Sequence, residues 1–385
     1  MPSSSPKTHP LSLLEARRIW LAAQRLSQRA PFGDRPEATP AAVAHLGYVQ
    51  IDTINVIERS HHHILYTRIP AYRRQHLRAA QSTDKTVFEY WTHALSYIAT
   101  GDLPYFLGDM KRRRLAPPSW YKTVTAADVR KAVARVRREG ALTIRDIDDD
   151  DLVEKNHPWA SRKPSKRALQ VAFYAGLVTI SARAGMLKTY ELMDRHFGWA
   201  KPPKPASERA RNDYALERAL RSQGVVSLDS IAQLGTRGNR PAIRKLIDAR
   251  VRRGELVPVE IAGDKTGHWT TPELLGGLPA GESDLVHILS PFDPLIIQRK
   301  RVHLFFGYEH RFEAYLPKDK RVFGYFALPV LVGDEIDAAL DLQTDRDKGE
   351  LLIQTWTWLG KGSAARHKGA IEAELGRFER FQLAG

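Results

Sequence analysis

The chain has no cysteine among its 385 residues. Disulfides, thiolate zinc sites, iron–sulfur clusters and cysteine nucleophiles are therefore excluded. No apolar run is long enough to cross a bilayer, and no Lys-rich amphipathic helix presents a Trp/Phe face to a membrane surface. Met1 to Pro10 is a Ser/Pro/Lys tail without the apolar core of a secretory signal. The sequence contains no P-loop, no dinucleotide fingerprint, no Gly-x-Ser-x-Gly elbow and no His-Glu-x-x-His. Phosphoryl transfer from ATP and zinc-dependent hydrolysis thus lack their usual apparatus. Acidic residues are also scarce: 44 Asp and Glu stand against 59 Lys and Arg, for a net charge of +15.

That excess of positive charge favours a polyanionic partner, because bound cations release the counterions condensed on nucleic acid. The composition is otherwise globular, with 43% hydrophobic and 27% charged residues. The length suits two to four domains, and a cytoplasmic, nucleoid-associated monomer is the expectation.

Internal repetition organises the chain. A helix at 126–139 precedes Gly140 and Thr143; a basic helix at 165–175, Gly176 and a two-strand ribbon ending at Tyr190 follow. The same order recurs from a helix at 213–223 through Gly224 and Ser227. There the basic helix is 241–253, the stop is Gly254, and the ribbon ends in His268-Trp-Thr-Thr. Helix, capped short helix, basic helix and ribbon is the order of a winged helix, and its recurrence argues against coincidence. Leu11 to Arg68 reads as a divergent third copy, with helical periodicity over 11–28, Thr39-Pro40 opening a short helix, and a further helix near 54–66. From about Asp284 strand-like runs take over: 304–306, 312–316, 322–332 and 351–359, with turns at Gly333-Asp334 and Lys348-Gly349, before a final helix over 363–381. The expected class is α+β: tandem winged-helix (helix-turn-helix) domains, then a C-terminal antiparallel β-sheet or small barrel. The expected domains are 1–118, 119–203, 204–280 and 281–385, with the Pro-rich linker Lys201-Pro-Pro-Lys-Pro205 before the third.

Gln50-Ile51-Asp52 lies inside an apolar, β-branched stretch. In extended backbone, residues i and i+2 face one side, so Gln50 and Asp52 would together hold and polarise a water. The alternative is that Asp52 caps the helix expected to follow.

His61-His62-His63 cannot all ligate one metal, since adjacent helical residues diverge. Glu58 and His62 share a face at i, i+4 if the helix includes both. The histidines would be the polar rim of a nucleic-acid groove or buried, hydrogen-bonded groups. Trp91 and His93, in Glu89-Tyr-Trp-Thr-His93, are either part of a helix start or a pocket wall beside the first domain's active surface. Basic clusters supply candidate phosphate contacts at Arg112, Arg113, Lys163, Lys166, Arg167, Arg240, Arg244 and Lys245. Arg299 and Arg301 follow the rigid turn Ser290-Pro-Phe-Asp-Pro-Leu295, which reads as a hairpin or loop that touches DNA or as a packed domain entry with a basic edge.

Val49-Gln-Ile-Asp52 before Ile57-Glu-Arg-Ser-His61 resembles the catalytic segment of the YcaQ/AlkZ family of winged-helix DNA glycosylases. So do Phe88-Glu-Tyr-Trp-Thr-His93, the 163–190 repeat, Ser290–Leu295 and Gly324-Tyr-Phe-Ala-Leu-Pro-Val-Leu331. The resemblance runs in order along nearly the whole chain. It departs at 94–98 and after Val332, where a usual Gly-Arg pair is missing.

The resemblance implies tandem winged helices closed by a β-domain, and excision of bulky N7-alkylated guanine with unhooking of interstrand crosslinks. By its Gln-apolar-Asp form it implies catalytic roles for Gln50 and Asp52. N7-alkylguanine leaves as a neutral base, so little general-acid help is required. Asp52 would take the water's proton and stabilise an oxocarbenium-like sugar, with Gln50 orienting that water. No lysine sits in the motif to form a Schiff base, so a monofunctional glycosylase with no cofactor and no metal is expected, acting on damaged duplex DNA. The rival is a non-enzymatic winged-helix regulator. A nuclease is disfavoured by the missing acidic metal cluster.

Overall fold

The computed structural model describes residues 8–147, 152–155, 161–233, 239–277, 282, 284–360 and 363–384. Most of the Ser/Pro/Lys tail lies outside them. The chain is a mixed α+β protein that gathers into two compact units. One combines the stretch up to Arg73 with the stretch from Asn212 onward; the other is Arg74–Arg211. The first and last stretches of the chain thus share one unit.

In the discontinuous unit, Leu13–Ala23 is the first helix, shorter than the 11–28 periodicity suggests. Ser12 and Glu15 form a reciprocal capping box that fixes its start. The next helix, Ala38–Leu46, begins before Thr39, which is buried inside it rather than capping it. Gly47 ends it as expected, at φ +79°; a Cβ there would also run into the aliphatic part of Arg218.

The later repeat has the expected elements in the expected order. They are helix Glu208–Gln223, strand Val226–Ser227, short helix Leu228–Ala232 capped by Ser227, basic helix Arg240–Arg252, and strands Val257–Ile261 and His268–Thr270. The amino-terminal strand His9–Leu11 adds to this ribbon in parallel, opposite Val259–Ile261. A core of Leu216, Ile231, Ile243, Ile247 and Trp269 unites the repeat.

A four-stranded antiparallel sheet follows, in the order Val286–Ile288, Ala327–Val332, Glu335–Asp345, Glu350–Trp358. The helix Ser363–Leu383 packs on it. Three strand expectations fail here. Leu304-Phe-Phe306 closes a helix, Arg299–Phe306, and 312–316 is irregular. Only Ala327–Val332 of the run 322–332 is strand. Three-residue apolar runs do not distinguish strand from buried helix. The amides of 322–326 are diverted to carboxylate side chains, Glu313 and Asp341, instead of a ladder.

One core joins Trp20 and Leu26 to Val225, Leu289, Val302, Phe305 and Leu331. Within this unit Arg68 and Asp293, both fully buried, form a bidentate pair at 2.7 and 3.0 Å. Arg68 also donates to the Gln24 carbonyl at 2.9 Å. The rigid turn Ser290–Leu295 is therefore packed, with Asp293 and Leu295 buried in the core.

The Arg74–Arg211 unit contains the first repeat. Thr125 and Asp128 form the capping box of helix Ala126–Glu139. Strand Leu142–Thr143, helix Pro164–Tyr174, and the ribbon Val178–Ala184 with Leu187–Leu192 follow. Residues 89–93 are not a helix start. They belong to a hairpin whose strands are Val87–Trp91 and Leu95–Ala99.

Candidate active site

The segment after Val49–Gln50 differs from expectation in a way that bears on chemistry. The helix anticipated at 54–66 begins only at Ser60 and runs to Arg68. Residues 51–59 are loop. The Ile54 N–H donates to Asp52 Oδ1 at 2.8 Å, closing an Asx-type turn two residues on. Asp52 therefore organises a loop and is not the cap of a helix. β-Branched Thr53, Ile54, Val56 and Ile57 add their own preference for extended backbone.

The loop is held from outside by its own unit. The Thr344 N–H donates to the Val56 carbonyl at 2.8 Å. The Arg346 guanidinium donates to the Asn55 carbonyl at 3.0 Å and to Asn55 Oδ1 at 3.2 Å. The Glu58 N–H donates to Gln382 Oε1 at 2.6 Å, and Thr344 Oγ1 donates to the same oxygen at 3.2 Å. The end of strand Glu335–Asp345 and the final helix thus both hold the segment 55–58 that leaves the turn carrying Asp52. Ser60 Oγ donates to the Gln50 carbonyl at 3.1 Å, tying the helix start back to the motif.

Gln50 is buried and Asp52 half-buried. Burial raises the Asp52 pKa above its ordinary 3.8, opposed by the N–H groups of Ile54 and Thr53. A carboxylate with raised proton affinity and one open side is suited to accept a proton from water.

Arg346 was not singled out by sequence, since one arginine in Asp345-Arg-Asp-Lys carries no local signal. Displacing a reacting group by about 1 Å costs on the order of 10²-fold in rate. Arg346→Ala is expected to lower the turnover number by roughly that factor with KM little changed. Arg346→Lys should recover only part, because one ammonium cannot span both acceptors. Equal turnover in wild type and Arg346→Ala would mean that the Arg346 clamp does not position Asp52.

The three histidines divide by environment. His63 Nε2–H donates to the Ile288 carbonyl at 2.7 Å, and burial lowers its pKa to about 4. It is a neutral core group packed on Phe378. His61 is buried, its ring 4.3 Å from that of His62. His62 Nδ1 lies 2.6 Å from the Tyr72 hydroxyl. Glu58 precedes the helix, so helical spacing does not pair it with His62. Among the described residues no group of three His, Asp or Glu could hold a metal.

Trp91 and His93 belong to the other unit. Trp91 meets Tyr174 edge-on at 6.1 Å, and His93 occupies the hairpin turn, half-buried beside Thr92. Their neighbour Glu89 is buried and bidentate to Arg183, with 2.7 Å from Nη2 to Oε2. It is structural.

The basic candidates also sort by geometry. Arg167 is buried, donating to the Ser161 and Glu154 carbonyls at 2.6 and 2.7 Å. Arg301 is buried over the Trp20 ring at 4.3 Å and donates to Gln223 and Val225. Neither presents a free guanidinium to a phosphate, and both are withdrawn as DNA contacts. Basic residues on one helix look alike in sequence whichever face they occupy. Arg112, Arg240 and Arg244 are exposed but paired with Asp109, Asp229 and Asp248. Arg113 lies over Tyr174. Lys163 and Lys166 are half-buried, while Lys245 and Arg299 are exposed.

The sequence profile of the family described as DNA glycosylase AlkZ-like matches residues 43–381. Among solved structures the chain is similar to the Streptomyces sahachiroi DNA glycosylase AlkZ, with a TM-score of 0.58 at 17% identity over 96% of each chain. The matched span takes in Gln50, Asp52, Thr344 and Arg346, and the chain belongs to the AlkZ-like DNA glycosylase family.

Proposed function

We propose that the chain is a monofunctional glycosylase that hydrolyses the N-glycosidic bond of N7-alkylated guanine, including guanine crosslinked to the opposite strand. The observation that carries this reading is the Asp52 carboxylate, half-buried with raised proton affinity, on an Asx-type turn whose following residues are clamped by Arg346 and Thr344. Asp52 takes the proton of the attacking water and faces the positive charge that develops on the sugar. Gln50 orients the water. The departing base takes the electron pair of the glycosidic bond, which neutralises its alkylated ring and leaves the positive charge on the sugar, so catalysis concentrates on the sugar side.

We read the two helix–strand–helix–ribbon repeats as winged helices that grip a long duplex as a monomer by phosphate contacts. A crosslinked base is tethered to the partner strand. The lesion therefore stays near the groove rather than swinging out, unlike the flipped bases of many base-acting enzymes.

The test is release of 7-methylguanine from alkylated duplex, and unhooking of a nitrogen-mustard crosslink, with EDTA present. Undamaged duplex is the control. The monofunctional assignment makes a separate prediction. The product strand should stay intact until alkali is added, and borohydride should trap no protein–DNA adduct. Spontaneous strand cleavage with a trapped adduct would require an amine nucleophile instead. If no lesion is processed while one duplex sequence is bound in preference to others, the chain is a regulator.

A further inference from the structure

Between helix Arg299–Phe306 and strand Ala327–Val332 the chain runs without regular strand or α-helix, yet it is firmly built. The buried Glu313 carboxylate accepts the N–H groups of Val322, Phe323 and Gly324, at 2.9, 2.7 and 3.3 Å. Asp341 accepts those of Tyr325 and Phe326 at 2.7 and 2.9 Å. Five successive amides thus close on two buried carboxylates. Gly324 sits at φ +122°, where a Cβ would strike the Asp341 carboxylate. The Arg321 guanidinium spans the loop, donating to the Leu316 carbonyl at 2.9 Å and lying 5.0 Å from the Tyr325 ring.

What this scaffold holds outward is unusual. Tyr315 is 72% exposed, Val322 54%, Leu316 42% and Tyr325 37%. Most large apolar and aromatic side chains of a folded chain are covered, so a cluster of four marks a contact surface. Lys318 and Lys320 are exposed beside them, and Asp319 is the sole acid among residues 314–325. Arg112, Arg240 and Arg244 have neighbouring carboxylates, whereas Lys318 and Lys320 have none at ion-pair distance among the described residues. The position is equally specific. Asp341 anchors this loop, and Thr344, on the same strand, anchors the loop of Asp52. Three residues along a strand span about 10 Å.

We infer that residues 315–325 form a DNA-contact loop beside the active site: Lys318 and Lys320 meet phosphates, while Tyr315 and Tyr325 pack against the sugars and bases of the groove. Positive charge without internal partners, interleaved with exposed aromatics, is complementary to a duplex and not to an acid-poor apolar protein face. The inference rests on the glycosylase reading for its location, but its test does not need turnover.

The experiment is binding of full-length protein to a fluorescein-labelled undamaged duplex of about two helical turns, by anisotropy, across a salt series. Lys318→Ala/Lys320→Ala should weaken binding and flatten the slope of log K against log salt by roughly two units. Tyr315→Ala/Tyr325→Ala should weaken it about tenfold with the salt slope unchanged. All four changes are on the surface, so circular dichroism should match wild type. If both double variants bind as wild type does, the loop is not a DNA surface and a protein partner takes its place. That result combined with lost base release in Asp52→Asn would sink the loop alone. Weakened binding by the loop variants with full activity in Asp52→Asn would sink the catalytic reading alone.

Discussion

Asp52→Asn is expected to slow base release by about 10²–10⁴-fold, the range over which a positioned general base contributes. The substitution is close to isosteric, and an amide oxygen can still accept the Ile54 N–H that closes the turn. Folding should therefore survive, and the sign of its change is fixed by linkage. Burial raises the folded-state pKa of Asp52 above the unfolded value. A carboxyl shifted this way favours the folded state below its unfolded pKa, and that contribution is lost as pH rises through the folded pKa. At neutral pH the ionised group is a burden on stability, so the variant should melt at the same temperature as wild type or higher. Lost activity with undiminished stability is the signature of a group kept for chemistry. The wild-type pH profile carries the complementary sign. Only the ionised carboxylate accepts a proton, so kcat/KM should fall at acid pH through an apparent pKa above 3.8. Single-turnover release of 7-methylguanine, measured across pH for both proteins, checks rate and limb together. Full activity in the variant would end the case for Asp52.

The second large effect is on stability. Removing one partner of a fully buried pair leaves the other charge in the core without compensation, at a cost of about 3–5 kcal/mol. Asp293→Ala should therefore lose a large part of the roughly 5–15 kcal/mol that holds an ordinary domain together. Arg68 would keep its bonds to Gln24 but lose both carboxylate contacts. Arg68→Met/Asp293→Leu should recover much of the loss, because a packed apolar pair needs no charge balance. Denaturant midpoints for the three proteins test this. A single variant as stable as wild type would mean that the pair is solvated in solution.

What sequence made legible follows from how local each signal is. Helix 126–139, and the 213–223 part of the helix that begins at Glu208, are readable because caps and periodicity act within a few residues, as the Thr125–Asp128 box does. The Glu350–Trp358 strand was readable from its β-branched and aromatic run. Gln50 and Asp52 stood out as polar residues in an apolar stretch. The shape of their loop did not, because Thr344, Arg346 and Gln382 that hold it lie some 300 residues away. The partner of the buried Glu89, Arg183, lies 94 residues away and is equally invisible in local pattern. Arg167 and Arg301 looked like surface cations because pattern does not reveal which face of a helix is covered.

The discontinuous unit has a consequence for how the chain comes into being. Trp20 and Leu26 leave the ribosome early, but their core partners extend to Leu331 and Ile336. At about 5–20 residues per second, roughly 15–60 seconds separate the two. Once Arg211 has emerged the Arg74–Arg211 unit has all its internal contacts in hand, while the first helices still wait with their apolar faces uncovered. Synthesis thus leaves a period in which the part bearing Asp52 depends on chaperones or slow elongation. Conditions that speed translation or crowd nascent chains should trap misassembled protein from that half first.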